Sequence, residues 1–342
     1  MFSPLSNAQA KQYIDAAAVF EQLRDAQRQA QDYRGGMHWK TVASKAYLYR
    51  TSDRKGNARS LGPRNSATEQ ILAEFTRRKS ELTERVSSLR ELAATTARVN
   101  AALRVGTVPN EVADVCIALD AAQLLDKAVM VIGTNALHAY AYLGGVQFPS
   151  DIMATTDVDL LWSHKARLSI AVSEAVSEAG LLGILKRADR SYELDANNSF
   201  RARAKSGFMV DLIRQMPTPL WADEPDRFFE NDLVATDIQN MDWLLGAPRL
   251  VQPVVAVDGR VFTLAVPDPR AFAIFKSWLS RQHERDPLKR GRDMQQARAV
   301  VALIAERLPH LGRWGALKSF PADVMARANA DLATGVKGRS EI

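Results

Sequence analysis

The chain has one cysteine, Cys116, among 342 residues, so no disulfide forms within it and a disulfide-stapled secreted module is excluded. No run approaches the roughly 18 apolar residues of a membrane span; the richest stretches, VMVIG at 129–133 and VVALIA at 300–305, are short. The opening MFSPLSNAQAKQY lacks the basic-then-apolar order of a signal peptide. These absences predict a soluble, cytoplasmic protein with no membrane partner. The five histidines, at 38, 138, 164, 283 and 310, have no metal-ligand spacing, which argues against zinc hydrolysis. Gly133 is not followed by glycines at dinucleotide-binding spacing, which argues against a Rossmann dehydrogenase. Apolar residues make up 46% and charged residues 25%, a globular composition that excludes disorder throughout.

Charge is present and unevenly placed. Between Gly35 and Arg64 stand Lys40, Lys45, Arg50, Arg54, Lys55, Arg59 and Arg64 against one acid, Asp53. That segment alone equals the net +6 of the whole chain. It fits a polyanionic partner such as nucleic acid, or a solvated basic surface.

Periodicity predicts a helix over 6–33, then a basic, aromatic hairpin over 39–62 turned at 54–57. A second long helix follows at 66–100, opened by a Ser66/Glu69 capping box. The two helices are expected to pack together and carry the hairpin over the cleft; the apolar stripe of the second would also serve a homodimer. Further on, a helix at 110–125 precedes a buried strand at 128–132 and a second helix opened by Gly133-Thr134-Asn135. Strands are expected at 158–162, 191–196, 199–205 and 208–214, a helix at 165–179, and a hairpin of 251–257 with 260–265 turned at Asp258-Gly259. Helices at 269–282, 291–307 and 320–333 close the chain. The fold class is α/β (α+β) with a mixed sheet. Three regions are expected: a helical and hairpin region at 1–104, a core at 105–265, and a C-terminal helical domain at 266–342.

The sharpest local signal is Thr156-Asp157-Val158-Asp159-Leu160-Leu161-Trp162. Alternation along a strand puts Asp157 and Asp159 on one face, about 7 Å apart, where they repel unless a cation lies between them. Mg²⁺ is hard and oxygen-seeking and suits them. A lone acid in an apolar strand, Asp211 within FMVDLI, is expensive to bury unpaired and would complete a three-carboxylate cluster. Gly133 permits a tight turn, and the amides that follow, with the Thr134 hydroxyl, suit a phosphate. Together these are the parts that phosphoryl transfer requires.

The Gly133-Thr134, Asp157-x-Asp159 and Asp211 arrangement resembles the DNA polymerase β-like nucleotidyltransferase superfamily. The longer match resembles a bacterial family of predicted nucleotidyltransferases within it. It is carried by Gly133-Thr134-Asn135-Ala136, Thr155 to Leu160, Met241 to Leu245, Val266 to Arg270, Lys276 to Arg281, Lys289 to Asp293 and the hairpin from Tyr47 to Gly62. The resemblance covers about residues 35–308. It implies a polymerase-β-like core that moves an NMP group from an NTP to an acceptor hydroxyl with release of pyrophosphate. It also implies Mg²⁺ or Mn²⁺ on Asp157, Asp159 and Asp211, with Asp211 helping to deprotonate the acceptor. Gly133, Thr134 and Asn135 would hold nucleotide phosphates. Lys276, Lys289 and Arg292 are further phosphate candidates, with Asp293 orienting one of them; the alternative for each is a salt-bridged helix junction. Gly133 and Asp157 stand 24 positions apart, so the segment Tyr142 to Pro149 is expected to loop out.

Two other classes use the same residues differently. A nucleic-acid-binding protein would work through the basic hairpin and leave Asp157 and Asp159 in salt bridges. A Mg²⁺-dependent nuclease would use the acids but has no need of a triphosphate cradle. The acceptor is open among tRNA or another RNA, a protein hydroxyl and a small molecule, with the basic hairpin favouring RNA.

Overall fold

The computed structural model describes residues 2–51, 57–163, 174–217, 232–312 and 317–333. The chain opens with β1 (Ser3–Pro4) and α1 (Asn7–Gln31), capped by Ser6 and Gln9 reciprocally. A three-stranded antiparallel sheet follows: β2 (Gly36–Val42), β3 (Lys45–Thr51) and β4 (Ala58–Pro63). The expected hairpin is thus one strand larger, because Ala43 and Ser44 take positive φ (45° and 65°) and make a tight turn without glycine. The turn expected at 54–57 lies largely outside the described residues.

Next comes α2 (Ser66–Ala102). Its cap is Asn65 with Thr68, one residue before the expected box; Glu69 instead accepts from Arg64 Nε at 2.8 Å. The two long helices do pack together, around Ala26, Val86 and Leu89, with Leu23 and Ala30 at the edge. The small sheet packs on α2: Leu48 is fully buried, and the Arg50 guanidinium lies 4.3 Å from the Phe75 ring centroid. Near its C-terminal end α2 meets the rest of the molecule, where Asn100 Nδ2 donates to Gly259 O at 2.9 Å. Gly259 (φ 91°) is required there, since a Cβ would lie 1.9 Å from Ala97 O.

The core then runs α3 (Asn110–Ala121), β5 (Val129–Ile132), a 3₁₀ turn (Gly133–Asn135), α4 (Ala136–Gly144), β6 (Val146–Gln147), α5 (Ser150–Met153) and β7 (Asp157–Trp162). After it come α6 (Glu174–Ala188), β8 (Glu193–Leu194), β9 (Arg201–Arg203), β10 (Met209–Gln215) and β11 (Thr236–Ile238). The chain continues through α7 (Asp242–Leu245), β12 (Arg249–Val255), β13 (Val261–Pro267), α8 (Pro269–Leu279), α9 (Pro287–Arg307) and α10 (Ala322–Ala333). Most of the helix expected at 165–179 lies outside the described residues. The helix expected from 291 starts at Pro287, where proline's fixed φ suits the first turn and Asp286 caps it.

The main sheet is mixed, in order β5-β7-β10-β9-β8. β10 runs parallel to β7; on its other edge β9 pairs with Met209–Asp211 and β11 with Ile213–Gln215. Strand register is fixed by burial of one face: Val158, Leu160, Val210 and Leu212 are fully buried. One apolar core extends continuously from Val105 to Leu332. The segment expected to loop out does not: Tyr142 is buried in that core, Gly144 ends α4, and β6 pairs with β1. Its apolar side chains gain more in the core than a solvated loop would allow. Among the described residues, no helix is long and apolar enough to cross a membrane.

Candidate active site

The parallel pairing of β7 with β10 sets Asp159 directly beside Asp211, and Asp157 shares their face two residues earlier. Carboxylate oxygens of all three lie within 4.8 Å of one another. Asp157 and Asp159 are half-buried and Asp211 is buried. The charges are compensated unequally. Asp211 accepts from Arg201 of β9 through both oxygens, at 2.7 and 2.6 Å. Asp157 accepts from the Thr155 hydroxyl. Among the described residues Asp159 has no such partner, and burial first, then the charges of Asp157 and Asp211, push its carboxyl up to about 7; Lys276 and Arg285 pull the other way.

Gly133 closes β5 against the same acids. It takes φ 67°, and a Cβ there would lie 2.3 Å from Asp159 Oδ2. The backbone at this turn therefore approaches the carboxylate closer than any other residue permits. Asn135 Nδ2 donates to Asp157 O at 2.8 Å, tying the turn to the start of β7. Thr134 is buried, and its hydroxyl oxygen accepts from Gln296 Nε2 of α9 at 3.2 Å. The same amide nitrogen donates to Ile152 O at 2.7 Å. An amide nitrogen can only donate, so the Thr134 hydroxyl proton points away from Gln296.

The basic residues after the core divide. Lys276 is buried and paired with Asp293 at 2.6 Å; Arg285 Nε donates to the other Asp293 oxygen at 2.9 Å. Burial holds the Lys276 ammonium below its usual pKa while Asp293 opposes that. For Lys276 and Asp293 the fold builds the salt-bridged junction. Lys289 is exposed. Arg292 donates through Nη1 to Ala154 O at 3.0 Å, bracing the segment that leads into β7.

The donor set fits a divalent metal. Three hard oxygen ligands converge, and the burial and like charge that raise the Asp159 carboxyl are what a bound cation would relieve. Three buried polar atoms, Asn135 Oδ1 and Gln296 Oε1 beside the Gly133 turn and Arg292 Nε on α9, have no hydrogen-bond partner among the described residues. Such atoms are costly unless a ligand or ordered water meets them.

Sequence reasoning missed Arg201 and Gln296. Arg201 was within reach: a tight reversal centred near 206 sets residues 203 and 209, then 201 and 211, opposite each other. Gln296 carried no local signal, because its role depends on α9 crossing both the Gly133 turn and α5.

A family model described as Nucleotidyltransferase matches residues 110–317, more than half of the chain. The chain belongs to that nucleotidyltransferase family. No curated protein and no solved structure matches it.

Proposed function

We propose that this member of the nucleotidyltransferase family moves an NMP group from an NTP to an acceptor hydroxyl, on a polymerase-β-like core. The observation that carries the reading is Asp159 beside Asp211 on adjacent parallel strands, with the Gly133 backbone closed onto Asp159. On this reading residues 1–104 form an arm, 105–265 the catalytic core and 266–342 a helical region behind it.

Asp157, Asp159 and Asp211 would hold Mg²⁺ or Mn²⁺, which when bound neutralises triphosphate charge and polarises the reacting phosphoryl group. Arg201 fixes Asp211 in one orientation through two parallel bonds. Asn135 and the Gly133 turn hold the mouth of β7 in register with β5. The Thr134 hydroxyl, its oxygen already occupied by Gln296, is left to donate toward a phosphate oxygen. The amides of Gly133 and Thr134, which open the 3₁₀ turn, have no partner within that turn and add to the cradle. The acceptor oxygen forms a bond to the α-phosphorus, the bond to the bridging oxygen breaks, pyrophosphate leaves, and the acceptor's proton passes to a carboxylate of the cluster. Lys276 acts from behind Asp159 as a fixed charge, while exposed Lys289 is free to reach phosphate.

The test supplies α-³²P- and γ-³²P-labelled NTPs separately, with Mg²⁺ or Mn²⁺ and candidate acceptors. Transfer of the α label with pyrophosphate release is expected. Transfer of the γ label would mean kinase chemistry, and shortened RNA would mean a nuclease; either result overturns the reading.

A further inference from the structure

The small sheet on the arm carries a set of side chains that the proposed reaction does not use. Alternation turns Leu48 and Arg50 inward onto α2, the first fully buried and the second over Phe75. The opposite face of β2–β4 then bears His38, Lys40, Lys45, Tyr47, Tyr49 and Ser60. They are in register across the strands: His38 opposes Tyr49, Lys40 opposes Tyr47, and Ser60 opposes Tyr49 from the other side. The rings of His38 and Tyr49 stack at 6.3 Å and 22°, and Lys40 Nζ lies 5.6 Å from the Tyr49 ring centroid. β2, β3 and β4 contain no acidic residue.

Fold stability does not call for this arrangement. The inner face does the packing, while the outer rings remain partly open to solvent beside lysines that have no ion-pair partner among the described residues. Aromatic faces about 7 Å apart on one strand, flanked by lysines, match the needs of unstacked bases on a phosphate backbone. A duplex hides its bases, whereas loops and ends of RNA present them, so the complementary polyanion is RNA in single-stranded form. Phe75, where the sheet sits, is 25 residues along α2 from Asn100, where the helix meets the core, or about 38 Å. An acceptor touching both regions is a polymer rather than a small molecule.

We infer that the outer face of β2–β4 binds single-stranded RNA, stacking bases on Tyr47 and Tyr49 and meeting phosphates with Lys40 and Lys45. As an identification of the acceptor this rests on the proposed transfer; as a binding surface it is tested without it. Fluorescence anisotropy of the full chain with a labelled single-stranded RNA, its duplex and the matching single-stranded DNA supplies the test. The single strand is expected to bind more tightly than the duplex. The paired change Tyr47→Ala with Tyr49→Ala is expected to weaken it by about tenfold or more, and Tyr47→Phe with Tyr49→Phe to keep it, since phenylalanine retains the ring face. All these positions face away from Leu48, and an unchanged melting temperature verifies that the fold survives. Asp159→Asn is expected to bind RNA normally even though it abolishes transfer, which separates failure of the surface from failure of the reaction. Undiminished binding by the alanine pair, preference for the duplex, or tighter binding of DNA than RNA would each overturn the inference. So would a dimer of the native chain that the alanine pair converts to monomer, because a second copy would then be the occupant.

Discussion

The core and the arm use charge in opposite ways. On the arm, most ion pairs among the described residues are local and solvated: Lys11 with Asp15 and Arg77 with Glu81 lie one helical turn apart, about half or more exposed. Such pairs add little to stability. In the core, Lys276 and Asp293 are 7% and 1% exposed and come from different helices. Asp211 is likewise buried against Arg201. A buried charge without a partner is expensive, and the core supplies opposite charges for Asp211, Lys276 and Asp293, whereas among the described residues Asp159 has no ion-pair partner. The difference teaches where to look for function: the arm tolerates charge everywhere, so only an excess in one place carries meaning, whereas in the core one uncompensated carboxylate is enough.

Substitutions sharpen that contrast, beginning with the most severe. Asp159→Asn is expected to lower turnover by roughly two or more powers of ten, since it removes stabilisation realised in the transition state. The same change is expected to raise the melting temperature at pH 8, because it removes repulsion from Asp157 and Asp211. Steady-state kinetics and calorimetry on one sample read both signs. Gly133→Ala is expected to match the loss of turnover, since its methyl group would collide with Asp159 Oδ2. Full activity in that variant would contradict the close approach.

Next in size is Lys276→Met, which breaks a buried pair and is expected to cost about 3 kcal/mol in urea unfolding. Arg285 retains part of the Asp293 charge and keeps the loss at that end of the range. Gln296→Glu is expected to raise the KM for the nucleotide about tenfold with a smaller change in kcat. A carboxylate would accept the Thr134 proton instead of leaving it for phosphate, so the same change in a Thr134→Ala background should have little further effect.

The pH dependence has a definite sign. Asp159 holds its proton to about pH 7 in the folded chain, against 3.8 for an ordinary aspartate. The folded state therefore binds the proton more tightly than the unfolded one between those values, and Asp159's contribution to stability falls as pH rises through that window. Subtracting the Asp159→Asn profile from the native profile isolates the effect; a difference flat from pH 4 to 8 would contradict it. Smallest of all, Lys11→Ala on the arm is expected to leave the melting temperature unchanged, and a clear drop would erase the contrast between the two regions.

Much of the site was legible in the sequence because strand alternation is local. The spacing of Asp157 and Asp159 and the apolar neighbours of Asp211 put acids on one face before any pairing was known. Their convergence was expected from the resemblance rather than from alternation, since spacing alone does not say that β7 and β10 are neighbours in parallel. For Lys276 the sequence left a phosphate contact and a salt-bridged junction open; spacing along one helix could not choose, because its partner Asp293 lies on another helix. The extra strand at 36–42 was hidden by a turn of Ala43 and Ser44, which lack the usual Asn-Gly signature. The segment from Tyr142 to Pro149 read as a loop because Gly133 and Asp157 stand 24 positions apart, yet Gly144 and Gly145 end a helix rather than float free.

Binding of Mn²⁺, followed by electron paramagnetic resonance as the metal is titrated into the native chain, tests the central claim most directly. Mn²⁺ stands in for Mg²⁺ and reports its own free concentration. The account predicts saturable binding at pH 8, weakened at pH 6 as protons occupy Asp159, and lost when Asp157 and Asp159 are both changed to Asn. Binding that survives in that double variant, or none in the native protein at pH 8, would contradict it.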